Sequence, residues 1–177
     1  MHIILQTPRL ILRRFTQADA PLLLQLNSDP EVLKYLHEPA LQNEEHAKTI
    51  LTTIILPQYQ NNLGRWAIHL KTTHEFIGWC GLKYLIETDE IDLGYRLIKS
   101  AWGKGFAYEA AQHCLHYGFN QLHLKTITGR AHIENTASLK ILEKIGMQFI
   151  KEEIVDGCPV KTYRLNMPAD IADVAEK

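Results

Sequence analysis

The sequence is poor in cysteine: Cys80, Cys114 and Cys158 are its only three. They are widely spaced, odd in number and never arranged as CxxC, which excludes a disulfide framework or a zinc knuckle and suits a reducing compartment. The chain also lacks an excess of charge of either sign, with 19 Lys and Arg against 20 Asp and Glu. A nucleic-acid binder needs a basic surplus to neutralise phosphates, so no nucleic-acid partner is expected. No apolar run approaches the ~20 residues that cross a bilayer, so no membrane partner is expected either. Met1 to Gln6 show no basic patch followed by a long apolar stretch, so no leader is read and a cytoplasmic location is expected. Repeats, low-complexity tracts and linkers are absent too. A chain of 177 residues with 46% hydrophobic content is read as one packed domain over residues 1–168 with a tail at 169–177.

What is present is a sequence of alternating periods. Leu10-Ile11-Leu12 reads as a first strand. Thr16 to Asn27 carries Leu22, Leu23 and Leu26 at helical spacing. Asp29-Pro30-Glu31 is a helix start, with an N-cap, a proline where its missing N–H does no harm, and an acid near the positive end of the dipole. Asn43-Glu44-Glu45 opens a longer helix that Pro57 ends or bends. Trp66–Leu70, Phe76–Leu85 and Ile91–Leu97 then read as strands, and the helix from Ala107 keeps Ala110, Ala111, Cys114, Leu115 and Gly118 on one face. A strand at Lys125–Arg130, a helix at Asn135–Ile145 stopped by Gly146, and strands at Phe149–Val155 and Val160–Leu165 complete a mixed α/β domain.

The stretch Trp102-Gly103-Lys104-Gly105-Phe106-Ala107-Tyr108 stands between a strand and a helix. Glycines there let a backbone approach a phosphate closely, and the free N–H groups of the helix start point at the anion. The spacing fails G-x-x-x-x-G-K-[ST], so it is no P-loop. Tyr108 stands where a dinucleotide fingerprint needs its third small residue. A ligand-free glycine turn stays open on these residues alone.

The same stretch resembles the pyrophosphate loop of the GNAT acetyltransferases, Gln/Arg-x-x-Gly-x-Gly/Ala, with Gly105 and Ala107 at the small positions. Trp102, where Gln or Arg is commonest, looks like the Trp-Gly-Lys-Gly variant of the RimJ/RimL-type branch. Thr7-Pro8-Arg9-Leu10-Ile11-Leu12-Arg13, Ser28-Asp29-Pro30-Glu31-Val32, Ile91-Asp92-Leu93-Gly94-Tyr95, Glu134-Asn135-Thr136-Ala137-Ser138 and Glu143-Lys144-Ile145-Gly146-Met147 are similar to further segments of that branch. The resemblance runs along nearly the whole chain. It implies a single-domain α/β GNAT fold: a mixed sheet of about six to seven strands, flanked by helices, whose fourth and fifth strands splay to admit the pantetheine arm of acetyl-CoA. It implies cofactor contacts from Leu97 and Ile98 (pantetheine), from Trp102, Gly103, Lys104, Gly105, Phe106, Ala107 and Tyr108 (pyrophosphate), and from Asn135 and Ser138. It further implies acetyl transfer to a primary amine: the amino terminus of a protein or peptide, or else a small amine such as an aminoglycoside, polyamine or amino acid. A non-catalytic acyl-CoA-binding module is the alternative of a different class.

Such a reaction needs a base for the amine, a donor for the thioester oxygen and an acid for the departing thiolate. Asp92 is the candidate base; alternation puts it on one strand face with Glu90 and Gly94. A backbone N–H near Leu97 is the candidate oxyanion donor, and Ser138 the candidate acid. Tyr35, Trp66 and Trp79 are candidates to line the acceptor pocket or to fill the core. Asn135 also reads as an N-cap. His113 and His116 have metal-compatible spacing but no third ligand, so no metal is expected. A homodimer is left open.

Overall fold

In the computed structural model, which describes residues 2–168, the chain forms eight strands in one sheet ordered β1-β2-β3-β4-β5-β6-β8-β7. The strands are β1 (Ile3–Gln6), β2 (Leu10–Arg14), β3 (Gly64–Leu70), β4 (Phe76–Leu85), β5 (Glu90–Leu97), β6 (Thr126–His132), β7 (Gln148–Val155) and β8 (Cys158–Asn166). The helices are α1 (Ala20–Asn27), α2 (Pro30–Leu33), α3 (Glu44–Ile50), α4 (Phe106–Asn120) and α5 (Thr136–Lys144). Neighbouring strands are antiparallel except β5 and β6, which run parallel. The stretch 169–177, read as a tail, lies outside the described residues.

The sheet has more strands than the six to seven expected. The addition is β1, folded back antiparallel on β2; its four residues are too few to show a period. The fourth and fifth strands of the sequence reading are therefore β5 and β6. Helix starts follow their caps: Asp29 accepts from Glu31 N–H at 2.9 Å, Asn43 from His46 N–H at 2.9 Å and Asn135 from Ser138 N–H at 3.2 Å. Beyond α3 the helix does not simply stop. It widens to a π-turn at Leu51–Ile55 and tightens to a 3₁₀ turn at Leu56–Asn61, where Pro57 has no N–H to continue the α ladder.

Strand alternation sorts the sheet into two faces. Trp66, Cys80, Leu82, Leu93 and Ile127 are fully buried or nearly so and look toward α4, whose Ala110, Ala111, Cys114 and Leu115 are the matching buried stripe. Arg65, Trp79, Lys83, Asp92, Gly94 and Arg96 occupy the other face, in register across β3, β4 and β5. The end of α1 and the segment after α2 reach that face, through Asn27 and Glu38 on Arg96.

Candidate active site

The glycine-rich turn follows β5 after a short 3₁₀ turn at Lys99–Ala101. Gly103 and Gly105 have φ of +71° and +78°, a region L side chains occupy only at a cost. A Cβ on Gly103 would meet nothing within 4 Å, and one on Gly105 only Arg9 Nη2 at 3.4 Å. The outer surface of the turn is therefore open. Gly105 caps the 15-residue α4, whose first N–H groups have no partner within the helix and point out of the turn.

Two side chains hold this turn in place. The Trp102 indole N–H donates to Leu97 O at 2.9 Å. Arg9 Nη1 donates to Lys104 O at 3.0 Å, while its guanidinium lies over the Phe106 ring at 4.5 Å and its Nε meets Glu109 at 2.6 Å. Glu109 also accepts from Thr7 Oγ1 and Arg9 N–H. Burial would raise the Glu109 pKa, but these hydrogen bonds hold it below the usual carboxylate range. Arg9 stands at the edge of β2, far from the turn in sequence, so its place at the turn is a tertiary contact. Tyr108 packs toward α5, with Lys144 Nζ over its ring at 4.2 Å.

β5 and β6 pair at only two positions, Asp92 with Thr128 and Leu93 with Gly129, and part beyond them. Ile98 N–H donates to Ile77 O and Ile98 O accepts from Ala101 N–H, so both backbone groups of Ile98 are used within the fold. Alternation along an antiparallel pair then turns the Leu97 N–H toward β6, into the gap. On the far side of the gap stands the start of α5. Tyr95 Oη crosses to Ser138 O at 3.2 Å, and burial pushes the Tyr95 phenol up to about 12. Ser138 and Asn135 are half-buried there.

The other face of the same strands carries the charged groups. Asp92 Oδ1 accepts from Arg130 Nη1 at 3.0 Å, and Arg130 also meets Glu90 at 2.5 Å and Glu153 at 3.4 Å. Protein surrounds Asp92, yet 24% of its side chain stays accessible. Burial pushes its pKa up to about 6, against the opposing pull of Arg130. Trp79 lies under two guanidinium groups, Arg65 at 4.5 Å and Arg96 at 5.5 Å from the ring centre. Tyr35 stacks on His132 at 5.3 Å, at the end of β6 on this side. Trp66 does not line this face: it is fully buried against Tyr117 of α4, one alternation step out of phase with Arg65. A surface depression of about 400 Å³ lies elsewhere, lined by Gln17, Pro21, Glu44, Glu45 and Lys48 among others; it has neither strand gap nor glycine turn.

A parallel strand pair that parts, a glycine turn beside the gap and a helix starting from that turn are thus brought together at one end of the sheet. The description "Acetyltransferase (GNAT) domain" matches residues 9–148, and the chain belongs to this acetyltransferase family. It is 37% identical over 145 residues to "Uncharacterized N-acetyltransferase p20" of Bacillus licheniformis, covering 81% of this chain and 82% of that one. Among solved structures it resembles a RimL ribosomal L7/L12 alpha-N-protein acetyltransferase in complex with coenzyme A, with a TM-score of 0.79 and 20% identity over 96% of this chain and all (100%) of the other. It also resembles a spermidine N-acetyltransferase from Vibrio cholerae in complex with CoA and spermine, with a TM-score of 0.75 and 19% identity over 89% and 95% of the two chains. The two structures act on different amines, and at these identities they share with this chain the fold alone. Among the described residues no helix is long and apolar enough to cross a membrane.

Proposed function

We propose that this N-acetyltransferase takes its acetyl group from acetyl-CoA and moves it directly to a primary amine, with the α-amine of a protein or peptide as the acceptor. Asp92 carries this reading: a carboxylate poised near pH 6 where β5 and β6 begin to part. An α-amine has a pKa of about 7.7–8.0 and a lysine about 10.4. Proton transfer to Asp92 is therefore uphill by roughly 2–3 kcal/mol from an α-ammonium but by about 6 kcal/mol from a lysine, at ~1.36 kcal/mol per unit. The α-amine suits this base.

The residues at the gap fit the co-substrate. The open Gly103–Ala107 turn and the first N–H groups of α4, with Tyr108 among them, would hold its pyrophosphate, with Lys104 and Trp102 at the rim. The pantetheine arm would lie in the gap beside Leu97, with Asn135 approaching it from α5. Bound there, acetyl-CoA supplies an acetyl carbon already activated as a thioester. Asp92, directly or through water, takes the proton that the amine loses as its nitrogen bonds to that carbon. Leu97 N–H stabilises the negative charge gathering on the carbonyl oxygen. Ser138 relays a proton to the thiolate as the carbon–sulfur bond breaks and takes one back from water, into which Asp92 releases the proton it took from the amine. This leaves an amide, a free thiol and both side chains in their starting states.

Thiol release from acetyl-CoA, followed with a thiol reagent across a panel of amines, tests this. Amine-dependent release fastest with peptide α-amines is the expected result. Acetyl-CoA that binds but releases thiol with none of the panel would leave a non-catalytic acyl-CoA-binding module.

A further inference from the structure

The charges on the Asp92 face do not cancel in place. Arg130 takes up Glu90, Asp92 and Glu153, and Arg96 takes up Glu38 at 3.0 Å and Asn27 at 2.8 Å. Two cations remain. Among the described residues neither Arg65 nor Lys83 has a carboxylate within ion-pair distance, although both are half-buried. Burial, together with Arg96, lowers the Arg65 pKa; burial and Arg65 lower that of Lys83.

Register puts both cations beside the base. Lys83 is directly opposite Asp92, and Arg65 is opposite Gly81, which is opposite Gly94. Gly94 keeps the row between them low: a Cβ there would stand 3.2 Å from the Trp79 ring. The indole therefore reaches over Gly94, with the Arg65 guanidinium 4.5 Å from its ring centre. A guanidinium stacked on an aromatic face keeps its in-plane N–H donors free, the geometry that grips a carboxylate at two points. Cations left half-desolvated without an anion are costly, and a substrate anion would relieve that cost.

We infer that the acceptor amine carries a carboxylate within a few bonds, and that Arg65 and Lys83 recognise it. This rests on the acetyl-transfer reading and narrows it. A free amino acid and a peptide with an acidic residue next to its amino terminus present the same chemistry. A polyamine presents only positive charge to two unpaired cations and is disfavoured.

The test uses matched pairs: serine against serinamide, and a serine-initiated tetrapeptide amide with glutamate second against its glutamine counterpart, with spermidine as the cationic member. Removing the carboxylate of serine lowers the pKa of its amine, which by itself favours the amide, so the comparison is biased against the inference. Turnover is read by thiol release, and binding separately by tryptophan fluorescence with CoA present. In at least one pair the carboxylate member should lead by at least ~10-fold in kcat/KM, and that pair identifies free amino acid or acidic peptide as the source. Arg65→Met should erase most of this preference through KM and Arg65→Lys restore part of it, with Lys83→Met as the second variant should Arg65→Met fold poorly. Equal or better use of the uncharged member in both pairs, or of spermidine over both carboxylate members, overturns the inference, as does a preference unchanged in both Met variants. Carboxylate-selective binding with no thiol release from any amine would uphold it and remove the acetyl-transfer reading instead.

Discussion

Asp92 is held between two opposing forces, burial that favours its neutral form and Arg130 that favours its charged one. Burial wins, with the pKa pushed up to about 6. The charged groups facing it are Arg130 and Glu90, Arg65 across the sheet, Lys83 opposite and Glu153 beyond Arg130. A folded pKa above the unfolded value means that the folded state holds the proton more tightly. Asp92 therefore contributes most to stability below about pH 4, and the contribution is lost as pH rises toward about 6. Activity has the opposite slope, because only the carboxylate accepts a proton. The log kcat/KM profile should have an acid limb near pH 6 and a further rise toward the pKa of the amine. Asp92→Asn should remove the first limb, lower kcat/KM by ~10²-fold at neutral pH and leave the melting temperature at pH 8 no lower than wild type. A variant profile that still bends near pH 6 would assign the base elsewhere. Asp92 became a candidate through the family resemblance, and strand alternation set it on one face with Glu90 and Gly94. Its partnership with Arg130 and Glu153, and the cations Arg65 and Lys83, were not, since they depend on cross-strand register. Arg65 and Trp66 make the same point: alternation puts them on opposite faces, but only α4 decides that the Trp66 face is closed.

The turn between β5 and α4 shows what one element contributes. Its two positive-φ glycines were visible in sequence as a pattern, and so were the N-caps Asp29, Asn43 and Asn135, because capping is local. The devices that fix the turn were not: Trp102 on Leu97 O and Arg9 on Lys104 O join parts of the chain whose proximity only the sheet creates. The π-turn after α3 was equally hidden, since Pro57 announces a break but not its form. Gly105→Val puts a branched side chain at a φ of +78°. It should cost about 1–2 kcal/mol in stability and weaken acetyl-CoA binding by at least ~10-fold by closing the approach to the helix start. Calorimetric titration and a melting curve check both; a folded variant with unchanged affinity would move the binding turn elsewhere.

At the scale of the whole molecule, seven of the eight strands and their order along the chain could be read from periodicity and turn residues. The gap between β5 and β6 could not be read from the residues themselves, because two strands that pair at Asp92 and Leu93 and then part look locally like any parallel pair; it came with the family resemblance. In the proposed mechanism that gap joins the two halves of the site: glycine turn, Leu97 and α5 toward one face, Asp92 and the cations toward the other. Direct transfer through it is the central claim, and isotope placement tests it most directly. After incubation with acetyl-CoA labelled in the acetyl group and an amine-bearing peptide, the label should appear as an amide on the peptide α-amine, with none retained on the protein. Label fixed on the protein, at Cys80 or any other residue, or thiol released with no labelled peptide, would contradict it.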